Sequence, residues 1–188
     1  GYAAGLNLTS STGTVAVGAQ AIGTGVSTGD NNTALGYRAM ISNTSGAQNT
    51  GLGKDALYSN TVGLYNTAVG EGALYTNVDG SNSVAVGRLA LYTQDPATAT
   101  DMYNTAVGYG AGQAITTGYD HTLVGSLAGD AITTAYENVA LGKNALGADT
   151  LGSRSTALGR GALLVQNFTT ATETWNVAVG NYTGGALT

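Results

Sequence analysis

The stretch Asn66-Thr67-Ala68-Val69-Gly70 decides the fold, because the chain carries ten versions of it. They end at Gly18, Gly36, Gly53, Gly70, Gly87, Gly108, Gly125, Gly142, Gly159 and Gly180, each preceded by Val or Leu. From one glycine to the next the numbering advances by 17 in most steps, by one more in the first, and by four more before Gly108 and before Gly180. A period this regular marks a stacked repeat architecture, in which each unit completes its core only against its neighbours.

Counting from each glycine as zero makes the columns legible. Position −2 is Ala except at Gly51 and Leu123, and position −3 is always Thr or Val. Position −4 is mostly Asn, with Ser83, Ser155, Thr14 and His121 replacing it. Position +3 is Ala in all copies but the last, and position +4 is Ile, Met or Leu in seven copies and Gly in three. A second glycine often follows at +10, as at Gly46, Gly63, Gly80, Gly118 and Gly152.

The Thr/Val-Ala-Val/Leu core is β-branched, and two glycines per repeat would each cost a helix roughly 1 kcal/mol. Short strands broken by glycine turns fit this pattern, so the expected fold is an all-β parallel solenoid with one coil per repeat. One strand would cover Thr-Ala-Val, the glycine would turn the chain, and a second strand would cover Ala-Leu. Coils about 4.8 Å apart would make residues 1–188 a single repeat domain of about eleven coils, a rod on the order of 50 Å long. Period-two alternation puts −3 and −1 on one face and Ala on the other. The expectation is Val, Leu and Thr inside the coil, with the Ala column facing the backbone of another copy. A thin core of this kind buries little against the ordering cost of ~1–2 kcal/mol per residue. That favours a homo-oligomer, with three coils around a threefold axis, over a lone solenoid with an Ala-rich second face.

Composition sets outer bounds. The 188 residues include 30 glycines, one proline and no cysteine, and only 9% are charged. Forty-three per cent apolar content argues against disorder. Without cysteine there is neither a disulfide framework nor a thiolate metal site. A formal net charge of −5 lacks the basic footprint of a nucleic-acid binder. No apolar run approaches the ~18 residues of a membrane span, so direct membrane insertion is not expected. Gly1 stands one full repeat before Gly18, so the chain opens in mid-repeat and reads as a fragment of a longer fibre. With one His and only scattered acids, no nucleophile–base pair, metal or cofactor is expected, and neither is an enzyme. Gly108-Tyr-Gly-Ala-Gly112 is a poor dinucleotide fingerprint without a following helix pattern.

Three columns invite functional readings. Asn at −4 reads as a hydrogen-bonded ladder, with His121 a structural substitute in it. Lys54, Arg88, Lys143 and Arg160 follow their glycines directly, beside Glu71, Tyr37 and Tyr109, with Arg38 one place on. That stripe is either a contact for anionic glycans or a solubilising edge. Tyr58, Tyr75 and Tyr92 recur at +5 and could hold a sugar ring or stack on one another.

The two longer coils, 88–108 and 160–180, break the period. Their extra segments, Gln94–Tyr103 and Gln166–Trp175, are alike, and each ends with an acid, a spacer and a large aromatic: Asp101 and Tyr103, Glu173 and Trp175. They lie four coils apart and contain the only Pro, Phe and Trp of the chain, Pro96, Phe168 and Trp175. Insertions in a solenoid collect on one face, often the binding face. Asp95, Pro96, Asp101, Tyr103, Phe168, Glu173 and Trp175 are therefore candidate contacts for a glycan or protein receptor. The plainer reading makes them spacers in a super-repeat of four coils.

The run Asn49–Gly63, followed by Asn66-Thr-Ala-Val-Gly-Glu-Gly-Ala-Leu-Tyr75, resembles the repeats of bacteriophage tail fibres, which have the same period. Ser83–Gly87, Val139–Gly142 and Val177–Gly180 also resemble the head repeats of YadA-type trimeric autotransporter adhesins. The resemblance covers essentially the whole chain. It implies a trimeric left-handed β-roll that attaches to a cell surface, located in a virion tail fibre or on the cell exterior. The adhesin repeat is usually shorter than this one, which tilts the expectation toward a phage fibre. A monomeric ice-binding solenoid would need a regular outward Thr array, and a polysaccharide-degrading β-helix would need clustered carboxylates. Both are remote.

Overall fold

A computed structural model describes residues 1–6, 8–23 and 26–185. The chain is an all-β parallel solenoid. Its strands in chain order are β1 (Val15–Val17), β2 (Thr33–Leu35), β3 (Thr50–Leu52), β4 (Thr67–Val69), β5 (Gly80–Ser81), β6 (Val84–Val86), β7 (Thr100–Asp101), β8 (Thr105–Val107), β9 (Thr122–Val124), β10 (Val139–Leu141), β11 (Gly152–Ser153), β12 (Thr156–Leu158), β13 (Thr172–Glu173) and β14 (Val177–Val179). The ten repeat strands form one parallel sheet, β1-β2-β3-β4-β6-β8-β9-β10-β12-β14. Equivalent columns pair: Thr67 with Val84, Ala68 with Ala85, Val69 with Val86. The longer coils keep this register, since Ala85 pairs with Ala106 and Ala157 with Ala178.

The inside and outside of the coil are the reverse of the sequence expectation. Ala68, Ala73 and Leu74 are fully buried, as are most of their counterparts at −2, +3 and +4 along the rod. The −1 column points outward and is exposed at Val17, Leu35, Val107, Leu141 and Val179. The physical reason is width. Once Leu from +4 and Asn from −4 fill the narrow interior, only a methyl fits at −2, so the bulkier −1 and −3 side chains take the outer face. The Ala column is core and is not a surface for another copy.

No second strand forms over the Ala-Leu segment, which is also a correction. Residues +2 and +4 adopt left-handed backbone, as at Asp55 (φ 58°), Leu57 (φ 52°) and Leu74 (φ 52°). Non-glycine residues rarely do this. Here alternation of handedness aims successive amides along the rod. Leu57 N–H donates to the Ala73 carbonyl in the coil above at 3.0 Å, and Asp55 N–H to the Tyr37 carbonyl below at 2.9 Å. Bonds between coils offset the ~1–3 kcal/mol of strain at each such position. The repeat glycine itself needs both its φ and its lack of a side chain. At Gly142 φ is +138°, and a Cβ would lie 2.5 Å from the Gly159 carbonyl oxygen.

The interior is polar at two corners. Asn66 Nδ2 crosses its coil to the Gly80 carbonyl at 2.7 Å, and its Oδ1 accepts from Ser83 N–H above at 3.0 Å. The −4 ladder therefore runs through side chain to backbone, coil after coil. A second buried column at +7 runs from side chain to side chain: Asn60 donates to Asn43 at 3.0 Å, Asn77 to Asn60 at 3.4 Å, and Gln94 to Asn77 at 3.0 Å.

Candidate functional site

The longer coils add their extra residues as a loop and then rejoin the coil below. β7 pairs in parallel with β5, and β13 with β11. Gln94 and Gln166 anchor the excursions from inside. Gln94 donates to Asn77 and contacts Ser83 Oγ, and it accepts from Asn104 Nδ2 at 2.9 Å, joining the two interior columns. Gln166 repeats this with Asp149, Ser155 and Asn176. Serine replaces Asn at 83 and 155 because glutamine takes up the space. The sequence reading passed over this pairing, although its signal was present: Ser at −4 in the coil just before each long one.

Beyond the loop, each excursion ends in the same outward clasp. In the first, Asn82 Nδ2 donates to Asp101 Oδ1 at 2.7 Å and the Tyr103 hydroxyl to Asp101 Oδ2 at 3.0 Å. This bond to the carboxylate holds the Tyr103 phenol above its ordinary pKa. In the second, four coils on, Arg154 takes the place of Asn82, Glu173 of Asp101 and Trp175 of Tyr103. Arg154 bonds Glu137 at 3.0 Å and Glu173 at 2.8 Å. Its guanidinium lies 5.3 Å from the Tyr136 ring centre and 4.7 Å from that of Trp175. The Tyr136 hydroxyl donates to Glu173 at 3.0 Å, and its ring stacks on Tyr119 at 5.3 Å. Trp175 and Tyr103 remain well exposed, at 64% and 55%.

The other candidates are placed differently. Pro96 is buried, packed near Gly80, and serves the loop's foot. The Asp95 carboxylate accepts from Val78 N–H at 3.1 Å. Phe168 is half-buried, with its N–H donated to Asp149. Tyr58, Tyr75 and Tyr92 form a separate stack with ring centres 4.8 and 5.0 Å apart, and Arg38 sits 5.0 Å over Tyr58 while forking onto Asp55. Their ring faces are turned on one another. Part of the charge stripe is likewise internally paired, Glu71 bonding Lys54 at 3.1 Å and Arg88 at 3.3 Å. Those partners hold the Glu71 carboxyl below the usual carboxylate range.

His121 sits in the −4 column, buried. Nε2 donates to the Ala135 carbonyl at 2.9 Å and Nδ1 accepts from Asn138 N–H at 3.2 Å. These are the bonds an Asn makes there, and burial pushes the imidazole pKa down to about 4. Among the described residues, no group of three or more His, Cys, Asp or Glu side chains converges as metal ligands, no pocket opens, and no helix is long and apolar enough to cross a membrane. Comparisons with protein-family models, curated proteins and solved structures return no match.

Proposed function

We propose that this chain is a structural and receptor-binding segment of an elongated homotrimeric fibre, most consistent with a bacteriophage tail fibre that attaches to a host cell. The observation that carries this reading is the outer face of the ten-stranded sheet. Its −1 column is Val or Leu throughout, and much of it is exposed on a single chain. At strand spacing the strip runs on the order of 40 Å, and apolar patches of that extent on soluble proteins mark association surfaces. The role is attachment rather than catalysis. The receptor, a cell-surface glycan or protein, is taken by the two clasps. An aromatic face beside hydrogen-bonding carboxylates suits a sugar ring.

Sedimentation equilibrium tests the oligomer: three copies are expected, and a stable, folded monomer at low micromolar concentration would sink the reading. Whole-cell and glycan binding by Tyr103→Ala and Trp175→Ala tests the clasps. Loss of binding with an unchanged oligomer is expected, and full binding by the double variant would make the long coils spacers. The head of a YadA-like adhesin is the second reading, favoured by the Val-Ala-Val-Gly strands. It shares the oligomer and differs in owner.

A further inference from the structure

The outer face of the sheet is flanked by two edges of opposite charge. On the side where the chain enters each strand, positions −7 to −5 carry Asp30, Asp101, Asp120, Glu137 and Glu173, with Arg154 the single cation. On the side where it leaves, positions +1 and +2 carry Arg38, Lys54, Arg88, Lys143 and Arg160, five of the six basic residues of the chain, with Asp55 and Glu71. Asp101, Asp120, Glu137 and Glu173 on one edge and Lys54, Arg88, Lys143 and Arg160 on the other are exposed. Glu137 and Lys143 flank β10, two residues before it and two after it.

We propose that copies of this chain associate in parallel, each laying its acidic edge against the basic edge of the next around an axis that follows the solenoid. The inference rests on the oligomeric reading above and adds to it the direction of the copies and the edges that meet. It follows from symmetry. With the apolar faces turned together, rotation about an axis along the solenoid brings each basic edge to the neighbouring acidic edge. Rotation about a perpendicular axis gives antiparallel copies and sets acid on acid and base on base. Both arrangements cover the Val/Leu strip, so burial alone does not choose between them. Charge does, because like charges set against each other disfavour the wrong partner and complementary ones fix register. Tyr103 and Trp175 share the acidic edge, so a receptor held by the clasps meets the seam between two copies.

Charge reversal tests this, read as the association constant by sedimentation. The acidic edge is reversed by D120K with E137K, and the basic edge by K143E with R160E. Each reversal is expected to weaken association at least about tenfold, and all four changes together to restore it to within about threefold. Carbodiimide coupling of a mixture of ordinary and 15N-labelled unmodified chain gives a readout free of folding effects. Lys143 is expected to join an acid of the other edge on a differently labelled chain. An oligomer indifferent to both reversals, or coupled only within single chains, overturns the edge pairing and leaves the oligomer standing. A monomeric unmodified chain removes both.

Discussion

Leu123 fills the space that Gly112 and Gly129 leave. A Cβ on Gly112 or on Gly129 would lie 2.9 Å from a Leu123 methyl. Leu123 is the one large residue in the −2 column, and Gly112 and Gly129 hold +4 positions where most coils have a buried Leu, Ile or Met. The volume has moved from one wall of the coil to the other. Gly51 shows the converse, since a Cβ there would meet Met40 at 3.0 Å.

Leu123→Ala therefore leaves a hole that two neighbouring coils cannot close, with an expected loss of about 2–5 kcal/mol in chemical denaturation. Adding Gly112→Leu and Gly129→Leu returns the consensus arrangement and should recover part of it, because the column accepts Leu in left-handed backbone, as at Leu146 (φ 52°). No recovery in the triple variant would show that Ile115, beside Gly112, already claims the space.

Gln94→Leu keeps the bulk but strands two buried groups, Asn77 Oδ1 and Ser83 Oγ, and takes one of two acceptors from the Asn104 amide, which keeps the Gly118 carbonyl. At about 1–3 kcal/mol for each buried group left unpaired, a loss of several kcal/mol is expected. Adding Ser83→Asn should restore a partner for part of the network, and Gln166→Leu should repeat the effect four coils away. An unfolding midpoint within error of the parent for both Gln variants would contradict the joint role of these residues.

His121 predicts an acid-sensitive window. Its folded pKa, about 4, lies below the ordinary histidine value of 6.5. Above pH 6.5 the ring is neutral folded or unfolded and contributes no slope. Between about 6.5 and 4 the unfolded chain binds a proton that the buried ring refuses, so stability falls as pH falls, by on the order of 3 kcal/mol in all. Below 4 the difference levels off. His121→Asn preserves the ladder bonds and should lack this component. The stability difference between parent and variant, followed from pH 7 to 4, should change steadily across the window, and a constant difference would be the contrary result.

Gly142→Ala combines a disallowed φ with a carbonyl contact at 2.5 Å, neither relieved by a side-chain movement. A loss of roughly 3 kcal/mol or more is expected by urea denaturation, concentrated in the coils around β10 and β12 when followed by amide exchange.

The sequence by itself determined the coil count to within one, the parallel register and the structural part played by His121. Identical columns at a fixed period leave no other pairing that satisfies every copy. It also found the long coils and their aromatic ends, because a broken period is visible without coordinates. It did not determine which way the strands face. Strict alternation in Thr-Ala-Val fits either assignment, and only the width of the closed coil, with Leu74 and Asn66 already inside, excludes Val69 and admits Ala68. Nor could it reveal the left-handed turns at Leu57 and Leu74, whose backbone is set by bonds to coils above and below and not by their own preference. The clasps were half legible. Asp101 with Tyr103 and Glu173 with Trp175 stood out locally, whereas Asn82 and Arg154 joined them only when folding laid one coil on the next.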